Sequence, residues 1–317
     1  MSATESTYFG RRLDDAARAG WLYYIAGYKQ DEIARSLGVS RQTAQRLVAL
    51  AVREKLVTVR MEHPIMNCMS LAERLRARYA LLKCEVVPED PLRPDSGAGL
   101  GQAGAVAMEH ALKASKPSII TIGTGRSLKA SVEELSAMNC PRHTIVARLG
   151  HMSPEGLASK YNVVVRMADR VNAKYYPAVM PVYSKSREER EAIRKLDTVR
   201  EIHKLTERAD ATFVGIGNIG PDAPMHIDGF LSQREVGALT SAGGVGEITG
   251  WIYDEDGNIL RCAVNERVNS VPLRRASRRP IYGIAGGPSK IAAIRGALHG
   301  QLINCLITNE QTAELLL

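Results

Sequence analysis

Six residues within one short stretch, Ser40, Arg41, Gln42, Thr43, Gln45 and Arg46, combine side chains that can read nucleic acid. Arginine offers guanine two parallel hydrogen bonds and glutamine does the same for adenine in the major groove, while the Ser40 and Thr43 hydroxyls suit phosphate oxygens. Three glycine-bearing stretches carry a different chemistry: Gly123-Thr124-Gly125-Arg126-Ser127, Gly215-Ile216-Gly217-Asn218-Ile219-Gly220 and Gly283-Ile284-Ala285-Gly286-Gly287-Pro288-Ser289-Lys290. Glycine lets a ligand approach the backbone, and Thr124, Arg126, Ser127 and Lys290 add hydroxyls and cations suited to a phosphate or a polyhydroxylated molecule. Glu247, after Gly243-Gly244-Val245-Gly246, adds a carboxylate able to accept from sugar hydroxyls.

The polar face around residues 40–46 needs a helix to hold it. Apolar residues at helical spacing from Leu13 to Ile25 predict a first helix that stops near Gly27, and Gln30 to Leu37 a short second one with Asp31 and Glu32 in its first turn. Gly38-Val39 is a tight connection, Ser40 an N-cap, and Arg41 to about Glu54 a third helix. Its Ala44, Leu47, Val48 and Ala51 point inward, so Arg41, Gln42, Gln45 and Arg46 point outward. A charged helix face is by default a solvated one; here helix, glycine turn, serine cap and polar face occur together at helix-turn-helix spacing, which favours binding to DNA. Leu56 to Arg60 alternates as a short strand would, and could form a wing.

Farther along, Leu71, Leu75, Tyr79 and Leu82, with Arg74, Arg76 and Arg78, predict an amphipathic helix, and Pro88 to Asp95 a proline-rich loop. Beyond residue 100, strand-like runs at 118–122, 144–149, 162–165, 211–216, 281–285 and 304–308 alternate with helical stretches at 127–138, 188–208, 290–299 and 310–317. That alternation predicts an α/β domain with a largely parallel sheet, whose ligands collect at the carboxyl ends of the strands. The first and third glycine stretches each run from a strand into a helix, where a ligand site competes with a plain βα turn and, at Lys290, with a solvated lysine. The second matches G-x-G-x-x-G, but Pro221 and Pro224 bar the long helix that a dinucleotide pyrophosphate would need. A hairpin is expected from Thr249–Tyr253, turning at Asp256-Gly257-Asn258.

With 317 residues and 45% hydrophobic content the chain can bury two cores, so the expectation is a DNA-binding domain over 1–60 and an effector domain over 61–317. Half of the formal net charge of +8 falls on the first 60 residues, which concentrates attraction for an anionic partner there. The five cysteines stand singly, without the spacing of a zinc site or a disulfide framework, so no metal or cofactor is expected. No signal-peptide core opens the chain and no stretch is apolar enough to span a membrane, which points to the cytoplasm.

Together these blocks resemble the SorC family of bacterial sugar-responsive regulators, also grouped as DeoR-like. The likeness runs through Gln30–Val57, Ile122–Leu128, Tyr176–Pro181, Val199–Gly217, Gly243–Gly257, Ala285–Ile294 and Gly296–Leu317, in one order over nearly the whole chain. The resemblance implies a helix-turn-helix domain joined to an α/β sugar-binding domain similar to the glucosamine-6-phosphate deaminase and sugar-phosphate isomerase fold, in a homotetramer or dimer of dimers. It further implies operator DNA as partner and a sugar, polyol or sugar-phosphate effector at Gly123–Ser127, Glu247 and Lys290. The sequence departs from the family pattern at Gln45, where serine is common, and at Asn309, where aspartate is common.

Two other functions compete. A sugar-phosphate isomerase or deaminase would need a general base beside the glycine loops, and neither a paired-carboxylate cluster nor a well-placed histidine is evident; His151 and His226 read as structural hydrogen bonders. A chromosome-associated protein without ligand control would leave the glycine loops as turns.

Overall fold

The computed structural model describes residues 3–59, 65–89, 97, 99–153, 156, 158–159, 161–276 and 278–317, with side chains from residue 12 onward. It divides into two compact units, Met1–Pro64 and Ile65–Leu317. Much of the expected Pro88–Asp95 loop and the end of the expected wing lie outside the described residues.

The first unit is three helices, α1 (Ala3–Tyr24), α2 (Gln30–Leu37) and α3 (Arg41–Arg53). Ala16, Ala19, Ile33, Ala44, Leu47, Val48, Leu50 and Ala51 form its core. A side chain at Gly20 would meet Ala51 Cβ and Val57 Cγ2 at 2.8 Å, so its absence sets the close approach of α1 to the end of α3. Gly38 takes the left-handed conformation (φ 64°) that ends α2 and aims the chain into α3, a geometry costly for any residue with a Cβ. The expected wing strand is not formed among the described residues: Leu56 and Val57 donate their N–H groups back to Ala51 O, and Val57 packs on the helices. Among the described residues of the unit there is no second strand for an alternating segment to pair with, and helix packing takes it over.

The second unit opens with α4 (Met66–Tyr79), β1 (Lys83–Val87), α5 (Leu100–Leu112), β2 (Ile119–Ile122), α6 (Arg126–Glu134) and β3 (Thr144–Ala147). There follow α7 (Val163–Val171), β4 (Lys174–Tyr176), α8 (Arg187–Lys195), α9 (Asp197–Glu207), β5 (Ala211–Gly215), β6 (Gly217–Asn218), α10 (Pro224–Ile227) and α11 (Gln233–Ser241). The chain closes with β7 (Gly246–Ile248), β8 (Trp251–Tyr253), β9 (Ile281–Ile284), α12 (Ile291–His299), β10 (Cys305–Asn309) and α13 (Glu310–Leu316). Seven strands make one sheet in the order β1-β10-β9-β5-β2-β3-β4, every pairing parallel, and β6-β7-β8 make a small antiparallel sheet.

The central strands are apolar and covered on both faces, as parallel sheets require. Two large clusters result, one including Met108, Ile120, Leu128, Ile145, Met167 and Phe213, the other Leu75, Val214, Ile294, Leu298 and Leu306. In the middle, Phe213 stacks on Tyr282 with ring centroids 4.9 Å apart, and Thr121 and Thr212 share a buried hydroxyl hydrogen bond of 2.8 Å.

The expected strand at 162–165 is instead the first turn of α7. Burial at Val163, Val164, Met167, Ala168 and Val171 follows a helical period, which outweighs a run of three valines. The helix expected over 188–208 is two helices, broken at Leu196, whose backbone is extended (ψ 132°). The hairpin turns first at Thr249-Gly250, where Ile248 pairs with Trp251; Asp254–Asn258 forms a second turn, closed by Asp254 N–H to Asn258 O. Strands β1 and β4 were not among the expected elements: the exposed end of β1 (Lys83-Cys84-Glu85) and the wholly exposed β4 lack apolar alternation. Among the described residues no helix is long and apolar enough to cross a membrane.

Candidate functional site

In the first unit, Ser40 caps α3 by accepting from Thr43 N–H at 3.1 Å, and the two hydroxyls lie 2.9 Å apart. Arg41, Gln42, Gln45 and Arg46 are exposed, while Ala44, Leu47 and Val48 are buried. Arg41 pairs with Asp31 of α2 at 3.3 Å, both side chains well exposed. Such a pair contributes little to stability, so Arg41 can exchange Asp31 for another anion at small cost. Because Ser40 is occupied in capping, Ser40→Ala is expected to destabilise α3 by about 1 kcal/mol, read as roughly fivefold faster hydrogen exchange of its amides, with Ser40→Asp restoring protection.

In the second unit, the strand order places a topological switch between β2 and β5: from β2 the chain proceeds outward through β3 and β4, whereas β5, β9 and β10 lie on the other side. Loops leaving two such strands diverge and leave a crevice at their carboxyl ends. The first glycine stretch leaves β2 and the second leaves β5, and they flank a cleft of about 690 Å³ including its open mouth. Gly123, Thr124, Gly125, Arg126, Ser127, Glu247 and Lys290, all nominated from sequence, line this one cleft.

Each loop has a local reason for its shape. Gly125 sits at φ 120°, ψ 176°, a region that only glycine occupies comfortably, and α6 starts at the next residue with its first N–H groups unpaired by the helix. Pro288–Lys290 forms a 3-10 turn before α12, which puts Lys290 at the helix entrance rather than within it. A Cβ on Gly217 would lie 2.9 Å from Glu247 Oε2, so glycine there makes room for the carboxylate.

Glu247 is 8% exposed and accepts the Gly250 N–H across the hairpin tip. Burial pushes its carboxyl up to about 7, with the Gly250 hydrogen bond and the Lys290 cation opposing that shift. Lys290 is held below the usual lysine range by burial and by the neighbouring Arg126 cation, with Glu247 opposing. Two cations and one reluctant carboxylate therefore share the cleft with the amides at the start of α6. The arrangement can neutralise an anionic group at one end of a ligand and accept from hydroxyls at the other.

Several lining residues carry no sequence motif: Leu149, Tyr161, Met225, Asp228, Phe230 and Thr249. Tyr161 donates to Asp228 Oδ2 at 2.9 Å. The positive φ of Thr249 (52°) beside Gly250 (90°) matches a type I′ turn, for which Thr-Gly between two short apolar runs was the available signal. Asn309, the departure in the closing block, caps α13 by accepting Thr312 N–H at 3.2 Å. His151 and His226 make hydrogen bonds to Ala178 O (3.1 Å) and Leu231 O (2.9 Å), structural contacts that leave no general base among them in the cleft lining.

Residues 63–317 match the family described as "Putative sugar-binding domain". The chain is 32% identical over 302 residues to the erythritol catabolism regulatory protein EryD of Brucella abortus, covering 95% of this chain and 96% of that protein. It is 30% identical over 303 residues to the sorbitol operon regulator of Klebsiella pneumoniae, covering 93% and 95%. The crystal structure of the full-length sorbitol operon regulator SorC from Klebsiella pneumoniae superposes with a TM-score of 0.72 at 30% identity, covering 95% of this chain and 97% of that one.

Proposed function

The chain belongs to the SorC/DeoR family of sugar-binding transcriptional regulators, and from that premise we propose that α3 reads operator DNA while the cleft between β2 and β5 takes the effector. Its relatives include a regulatory protein of erythritol catabolism and a sorbitol operon regulator. The effector we propose is a sugar, a polyol or its phosphate, held by Gly123, Thr124, Gly125, Arg126, Ser127, Glu247 and Lys290. The observation that carries this reading is the convergence of those seven residues on one cleft at the switch point.

Residues 1–60 then act as the DNA-binding domain, with Ser40, Arg41, Gln42, Thr43, Gln45 and Arg46 at the duplex, and 61–317 as the effector and assembly domain. A homotetramer or dimer of dimers, working in the cytoplasm, would let paired recognition helices span half-sites about one DNA turn apart. An effector that binds two quaternary arrangements unequally shifts the population between them and so changes operator affinity.

The test is fluorescence anisotropy of the full chain on its own promoter duplex at fixed salt, with and without erythritol, sorbitol and their terminal phosphates. At least one of these should change affinity about tenfold or more. Unaltered affinity with all of them would remove the effector-controlled reading, and steady product formation from a sugar phosphate would favour the enzyme.

A further inference from the structure

Among the described residues, six buried side-chain atoms have no hydrogen-bond partner, and Thr249 Oγ1 is the one whose residue lines the cleft. Thr249 is 6% exposed, so water does not readily satisfy its hydroxyl either. A buried polar group of this kind costs stability until something fills its hydrogen-bonding capacity.

The position is also an unexpected one for threonine. It is the first central residue of the β7–β8 turn, at φ 52°, where asparagine, aspartate or glycine are the easy choices and a β-branched residue is strained. The surroundings fix it there. Ser270 Oγ donates to its carbonyl at 2.6 Å, and Glu247 accepts the N–H of the next residue, Gly250. Its methyl group lies against the first glycine loop: a Cβ on Gly123 would be 3.7 Å from Thr249 Cγ2. The turn is therefore held from several sides, its residue lines the cleft and its buried hydroxyl is unanswered, and packing of the methyl alone would be equally well served by valine.

We infer that Thr249 is a specificity-determining residue of the cleft, whose hydroxyl recognises an uncharged hydroxyl of the ligand beside the Glu247 carboxylate. The two side chains are complementary. Ionised Glu247 only accepts, whereas a threonine hydroxyl both donates and accepts. A ligand hydroxyl that donates to Glu247 retains lone pairs, and Thr249 offers the proton they require. The pair then favours a hydroxylated carbon over a deoxy carbon, because the deoxy ligand leaves the Thr249 hydroxyl unanswered and Glu247 with its Gly250 N–H but no ligand donor. This inference rests on the effector-binding reading of the cleft.

The test is calorimetry of the full chain with erythritol 4-phosphate, sorbitol 6-phosphate, ribose 5-phosphate and 2-deoxyribose 5-phosphate, with inorganic phosphate as control. Thr249→Val should weaken the tightest hydroxylated binder about tenfold and leave inorganic phosphate unchanged, while Thr249→Ser stays within about threefold of wild type. The wild-type preference for ribose 5-phosphate over its 2-deoxy analogue should shrink in the valine variant. If valine impairs folding, Thr249→Gly, which suits the left-handed backbone, removes the hydroxyl instead and should show the same loss. Wild-type affinity in the folded valine or glycine variant overturns the role of Thr249 and leaves the effector cleft standing. Failure of wild type to bind every probe overturns the cleft reading and this inference with it.

Discussion

Replacing Gln42, Gln45 and Arg46 together with alanine is expected to weaken binding to the operator duplex about a hundredfold or more at fixed salt. Each good side-chain pairing with a base edge is worth about 1–3 kcal/mol, and three such pairings are lost at once. The three residues are exposed on α3, whose buried face is Ala44, Leu47, Val48 and Ala51, so the melting temperature should hardly move. Arg41 is expected to behave differently, because it pairs with Asp31 at 3.3 Å and sits at the first turn of α3 beside the Ser40 cap. Arg41→Ala should weaken binding to all duplexes alike and flatten the salt dependence, the signature of a lost phosphate contact. Electrophoretic mobility or anisotropy titrations over a salt series separate the two. A triple variant that binds its promoter like wild type would end the proposal that α3 is the reading helix.

The second large effect concerns acidity. Glu247 moves from an ordinary 4.5 to about 7 on folding, chiefly through burial. Between those values the folded chain holds a proton that the unfolded chain has released, so the contribution of Glu247 to the stability of the unliganded protein falls as pH rises from about 5 to 8. The full span of that loss is about 3 kcal/mol. Glu247→Gln keeps an acceptor for the Gly250 N–H but cannot ionise, so it should lack this slope and be the more stable protein at pH 8. Ligand binding has the opposite dependence. Hydroxyl donors favour the ionised carboxylate, so wild-type affinity for a polyol phosphate should drop up to tenfold per unit below pH 7, and the glutamine variant should bind weakly at every pH. Lys290, Tyr183 and Tyr253 all interact electrostatically with Glu247, and the two tyrosines stay protonated across this range because burial holds them well above their usual value. Denaturation of both proteins from pH 5 to 8 measures the slopes; parallel curves would place the proton elsewhere.

What could be read from sequence divides along physical lines. The three helices of the first unit were legible because each has a local terminus signal: left-handed Gly27 follows α1, Glu32 accepts from Lys29 N–H and Gly38 is left-handed at the two ends of α2, and Ser40 caps α3. The glycine loops were legible because backbone geometry imposes glycine at residues such as Gly125. By contrast, β1 and β4 depend on pairing with distant partners, β1 with Cys305–Asn309 and β4 with Thr144–Val146, and edge exposure erases their alternation. The side chains that complete the cleft were missed for the same reason. Tyr161, the Asp228–Phe230 segment and Thr249 are far apart in the chain, and only the folded chain brings them to one place.

The small sheet β6-β7-β8 leaves the main one through Gly215-Ile216-Gly217, and its β7–β8 hairpin supplies Glu247 and Thr249 to the cleft, while the loops that leave β2 and β9 of the seven-strand sheet supply Gly123–Ser127 and Lys290. On the proposed effector reading, anchoring and discrimination are thus entrusted to separate parts of the chain. On that reading a lineage would trade one nutrient cue for another by rewriting two or three letters of that hairpin, with the load-carrying framework untouched.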